Sequence, residues 1–158
     1  DTGHTNKKYV PINKNEKRDY INNILLGKKF PYENEPMPIT SEILDLIPKA
    51  YENFEKIRRK IGWISDASII LKTTNDDLII AISCNGKGFS RISNDDIKKY
   101  ERRMILSLDI RLLKWLLYGP DKAHWSDADL GSHLRYERVG SVYKRGLFYC
   151  WNYFYAVV

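Results

Sequence analysis

Three histidines (His4, His124 and His133) and two cysteines (Cys84 and Cys150) are the side chains best suited to metal-assisted or nucleophilic chemistry. A hydrolytic metal site needs several imidazole or carboxylate ligands, commonly at short spacings that place two of them on one element. His124 and His133 do not form such a pair, and Asp127 and Asp129 between them do not complete one. The sequence therefore predicts no metal and no cofactor in this chain. Asp1-Thr2-Gly3-His4 looks like a ligand-bearing loop of a preceding domain, but four residues read more simply as a terminus. Nucleophilic catalysis needs Ser or Cys beside a base in an exposed turn, and there is no Gly-x-Ser-x-Gly. Cys84 and Cys150 fall in apolar segments and read as core thiols. Asn85-Gly86-Lys87-Gly88 is too short for a phosphate-cradling loop and reads as a hairpin turn.

The most informative stretch is Gly119-Pro120-Asp121-Lys122-Ala123-His124-Trp125, followed by Leu130-Gly131-Ser132-His133-Leu134 and then Arg145-Gly146-Leu147-Phe148-Tyr149. It resembles the region that follows the catalytic domain in bacterial hydrolases of the metallo-β-lactamase fold, where an Ala-His-Trp, an Ile/Leu-Gly-Ser-His and an Arg-Gly-Leu-Tyr recur. The run of elements is also similar to sterol-carrier-protein-2-like domains, which occur as C-terminal appendages of some of those enzymes. The resemblance implies an antiparallel sheet of about five strands, helices packed on one face, and an apolar tunnel between them. It also implies partners: the catalytic domain of the same parent protein, a lipid-like ligand, or a second copy of the chain. The superfamily's His-x-His-x-Asp-His ligand run is absent here, so its metal and its hydrolysis are not carried over.

Two readings of this stretch stay open. In one, His124, Trp125, Ser132, His133 and Arg135 surround a polar mouth where imidazoles, which can be protonated near physiological pH, hold an acidic ligand group. In the other, the histidines hydrogen-bond backbone at a helix end and Trp125 fills the core. An apolar ligand would lie against Ile57, Ile61, Leu113 and Leu117, on the helices facing the sheet.

The elements that position these residues follow from periodicity. The polar, Lys-rich segment 1–38 reads as a basic leader with a short helix at Glu16–Leu26, then a connector with three prolines; residues 39–158 read as one α+β domain. Ile43, Leu44, Ile47, Tyr51, Phe54, Ile57 and Ile61 mark one face of a helix from Ser41, which Pro48 is expected to divide. Three short apolar segments, 67–73, 78–84 and 88–92, are separated by Asn/Asp/Gly turns and predict an antiparallel meander. A fourth strand at 104–108, a helix capped by Asp109, a short helix from Ser126 or Asp127, and a strand at 134–139 follow. The aromatic segment 142–154 must be buried or covered by another surface.

Net charge is +6 among 26 basic and 20 acidic side chains, with the excess concentrated in residues 1–30. Lys56 to Lys60 and Lys98 to Arg103 form further basic clusters, but Glu52, Glu55, Asp95, Asp96 and Glu101 dilute them. A nucleic-acid-binding module is thus the alternative to a non-catalytic accessory domain, and the acids count against it. Two unpaired thiols and no leader peptide or long apolar run suggest a cytoplasmic protein, and the first residue, Asp1, suggests a fragment.

Overall fold

The computed structural model describes residues 13–142 and 144–157, which fall into two units divided after Asn34. In the first, α1 (Lys14–Tyr20) is capped by Asn13, whose side chain accepts from the amides of Asn15 and Glu16, and continues into a wider π-type turn at Ile21–Leu25. Residues 1–12, including the His4 loop, lie outside the described residues.

The second unit, from Glu35 onward, is an α+β domain. Its sheet comprises β1 (Ser68–Thr73), β2 (Ile79–Ser83), β3 (Phe89–Arg91), β4 (Arg103–Leu108) and β5 (Arg135–Val139), in the order β3-β2-β1-β4-β5. The meander β1-β2-β3 is antiparallel, as its turns predict, and β4 pairs antiparallel with β5. The expectation of an antiparallel sheet fails at its centre, where β1 and β4 run parallel from Ser68↔Arg103 to Thr73↔Leu108. The cause is the crossover at 92–102, which carries the chain over the meander and starts β4 at the same end as β1. Ile69-Ile70-Leu71 and Met104-Ile105-Leu106 are unbroken apolar runs, all buried, as central strands covered on both faces require.

The α2 helix (Thr40–Lys60) runs unbroken through Pro48, contrary to the expected division. The proline is exposed and the opposite stripe, Ile43, Ile47, Ala50 and Phe54, is fully buried, so tertiary packing offsets the one hydrogen bond that Pro48 cannot donate. Neither Ser41 nor any other side chain caps the helix; Ile39 occupies the N-cap position in extended geometry, and Thr40 instead donates its hydroxyl to Asp76 at 3.1 Å.

The remaining helices are α3 (Ile110–Leu117), α4 (Trp125–Leu130) and α5 (Arg145–Trp151). Asp109 caps α3, as expected, by accepting from the Arg111 amide at 2.8 Å. Gly119 ends it at φ +91°, and a Cβ there would stand 2.7 Å from the Val157 carbonyl, so both conformation and space demand glycine.

The sheet register sorts the strand residues into two faces. Ile69, Leu71, Ile80, Ile82, Met104 and Leu106 share the face covered by helices, where Tyr51 of α2 meets Phe89 of β3 and Phe148 of α5 meets Tyr136 of β5. The aromatic segment 142–154 is largely consumed there: Trp151 stacks on Phe154 at 4.5 Å, and both reach Phe54 of α2. Opposite, Ile70, Ile79, Ala81 and Ile105 form a thinner layer roofed by a 3₁₀ turn at Asp95–Lys99, which inserts Ile97.

Candidate functional site

The chemistry-bearing residues of the sequence are placed by local rules. His124 is the N-cap of α4: its Nδ1 accepts from the Ser126 amide at 3.3 Å and meets the Ser126 hydroxyl at 2.7 Å. Such a cap satisfies one of the orphan donors of a helix start. Trp125, one residue on, is 2% exposed; it packs on Trp151 at 4.8 Å and Phe154 at 6.3 Å, and donates Nε1–H to the Phe154 carbonyl at 2.7 Å. Ser132 is exposed at φ +58° in the turn leaving α4. His133 folds back so that its ring occupies the space beside Gly131, where a Cβ would meet it at 2.7 Å.

Arg135 lies elsewhere. It pairs with Ser107 in register, while its neighbour Tyr136 pairs with the helix-side Leu106, so Arg135 projects from the opposite face of the sheet. Trp125 is thus in the core on one side and Arg135 is exposed on the other, and the five residues do not converge on one mouth. Of the apolar set, Leu113 and Leu117 present no surface to water, Ile57 is half-buried, and Ile61 is 42% exposed at the end of α2. Changing His124 to Ala should lower the unfolding free energy by about 1 kcal/mol, the worth of a lost cap; urea denaturation checks this, and an unchanged midpoint would rule the cap out.

Buried ionisable groups are also accounted for. Glu55 and Arg58 of α2, 6% and 7% exposed, form a two-pronged ion pair at 2.6 and 2.8 Å, and Arg58 donates further to the Trp63 carbonyl at 2.9 Å. Burial alone would raise the Glu55 carboxyl; the Arg58 guanidinium, with Arg59 beside it, outweighs that and holds it below the ordinary carboxylate value. The Gly86 turn passes close over this pair: a Cβ there would stand 2.9 Å from Arg58 Nη2, and its φ is +86°. Cys84 and Cys150 are buried as expected, and burial pushes their thiols up to about 12 and about 11, so neither supplies a thiolate near neutral pH. Among the described residues no group of three or more His, Cys, Asp or Glu side chains could hold a metal ion, and no helix is long and apolar enough to cross a membrane.

Sequence reasoning missed the open face of the sheet. There Lys72 of β1, Arg103 and Ser107 of β4, and Arg135 and Glu137 of β5 share one face by register. With Lys98 of the 3₁₀ turn they line a groove of about 600 Å³ floored by Ile97 and Ile105. The signal was divided among elements far apart in sequence: Lys72, Lys98, Arg103 and Arg135 meet only because β4 crosses to the far side of β1.

No protein-family profile matches the chain, and no curated protein or solved structure matches it either.

Proposed function

We propose that this chain is a non-catalytic accessory domain, sterol-carrier-protein-2-like in architecture, that serves a larger metallo-β-lactamase-fold hydrolase by presenting a domain or subunit interface. The five-stranded sheet with helices α2 and α5 on one face supports the architectural part of this reading. The observation that carries the functional part is the filled interior: Phe54, Leu113, Leu117, Trp125, Trp151 and Phe154 are all between 0% and 3% exposed. A tunnel wide enough for a ligand would leave water-accessible surface on its lining, so these side chains favour packing over an apolar cavity. The groups that might have run chemistry support the same reading, since His124 caps a helix, the thiols stay protonated and Glu55 is held by Arg58.

The test is twofold. Denaturing extraction of the purified chain followed by mass spectrometry should yield no stoichiometric acyl-chain ligand; recovering one would restore the tunnel. Deleting residues 39–158 from the parent protein should lower the number of subunits per assembly in sedimentation while leaving the chemistry of its catalytic centre in place. Unaltered assembly after deletion would remove the interface role.

A further inference from the structure

The open-face groove joins four cationic side chains, Lys72, Lys98, Arg103 and Arg135, with one carboxylate, Glu137, in its lining. Several basic side chains elsewhere on the surface are matched to acids: Lys49 to Glu52, Lys99 to Asp96, Arg102 to Asp66, Arg111 to Asp109 and Lys114 to Glu42. In the groove none of the four cations has a carboxylate in ion-pair range among the described residues; Lys72 donates instead to the Asn94 side-chain carbonyl at 2.8 Å, and Arg103 to the Tyr100 carbonyl at 2.8 Å. The Arg103 Nε is buried without a hydrogen-bond partner among the described residues. Like charges gathered in one concavity repel one another and raise the local concentration of counter-ions, and a buried guanidinium donor left unpaired is costly. An arriving anion relieves the repulsion.

We infer that this groove binds an organic phosphate monoester of small-molecule size. The excess of positive charge is more than one carboxylate would neutralise, and the arginine fork matches the planar sets of oxygens on a phosphate. The Ser107 hydroxyl, in the same row as Arg135, adds a neutral donor. Beside these donors, Ile97 and Ile105 form an apolar floor for the organic part, which free phosphate lacks. The volume of about 600 Å³ suits a single small molecule. A nucleic-acid strand fits less well: among the described residues no aromatic ring lines the groove to stack on a base. The inference is independent of the interface proposed above, which concerns the parent assembly.

Calorimetric titration of the 158-residue chain at low salt, using phenyl phosphate, inorganic phosphate, benzoate and a single-stranded thymidine 20-mer as probes, tests it. Phenyl phosphate should bind saturably and more tightly than phosphate or benzoate. The double variant Lys98→Gln/Arg135→Gln, in which both altered side chains are exposed, should weaken it by about tenfold or more. A control on the outer side of α2, Lys56→Gln/Lys60→Gln, both exposed, should leave it unchanged, and melting curves of both variants should match that of the parent chain. Absence of saturable phenyl phosphate binding, or equal affinity in the double variant, overturns the inference. Tighter binding of the 20-mer than of phenyl phosphate, lost in the same variant, replaces the ligand class with nucleic acid.

Discussion

Replacing Arg58 with Met should lower the unfolding free energy by about 3–5 kcal/mol, because it leaves the buried Glu55 carboxylate with only the exposed Arg59, at 3.5 Å, and removes the donor to the Trp63 carbonyl. A domain of this kind is stable by only about 5–15 kcal/mol, so the variant should unfold at a much lower urea concentration. The double variant Glu55→Leu/Arg58→Met should recover a large part of the loss, since removing both charges leaves no unpaired ion. A cost below about 1 kcal/mol for Arg58→Met would show that the pair behaves like an exposed salt bridge. The pH dependence has a defined sign. The folded-state value of Glu55 is depressed, so its contribution is complete above the ordinary carboxylate value and is lost as pH falls through the lower folded value. Acid titration of stability should therefore be flatter in the Glu55→Leu/Arg58→Met variant than in the parent.

Trp125→Ala should cost about 3–5 kcal/mol, the usual result of emptying a large aromatic site that cannot collapse. The indole is clamped between Trp151 and Phe154, which also carry Phe54, so its loss loosens the junction of α2, α4 and α5. Trp125→Phe keeps a ring but leaves the Phe154 carbonyl without its donor, and should cost about 1–3 kcal/mol. Arg135→Ala, on the far side of the sheet, should change stability by no more than about 0.5 kcal/mol. Urea denaturation with near-ultraviolet circular dichroism measures all three. Comparable losses for Trp125→Ala and Arg135→Ala would contradict the placement of these residues on opposite faces.

These contrasts show which parts of the site could be read without coordinates. That His124 might cap a helix and Trp125 enter the core was one of the two readings open in the sequence, because both roles depend on residues within a turn or on plain apolarity. The mouth containing Arg135 required knowing which way β5 presents its side chains. Tyr136 and Arg135 are adjacent in sequence, and only pairing to Leu106 and Ser107 decides which faces the helices.

What the sequence determined by itself was local: the amphipathic stripe of α2, the Asp109 cap, the Asn/Asp/Gly turns of the meander and the burial of both thiols. Each rests on interactions spanning a few residues, where spacing and side-chain type are sufficient. Tertiary structure alone decided the parallel pairing of β1 with β4, the continuity of α2 through Pro48 and the gathering of Lys72, Lys98, Arg103 and Arg135. Strand order is set by which arrangement buries the most apolar surface over the whole chain, a quantity no short window contains. The cationic groove is a consequence of that order, so it emerges only when the crossover has been placed.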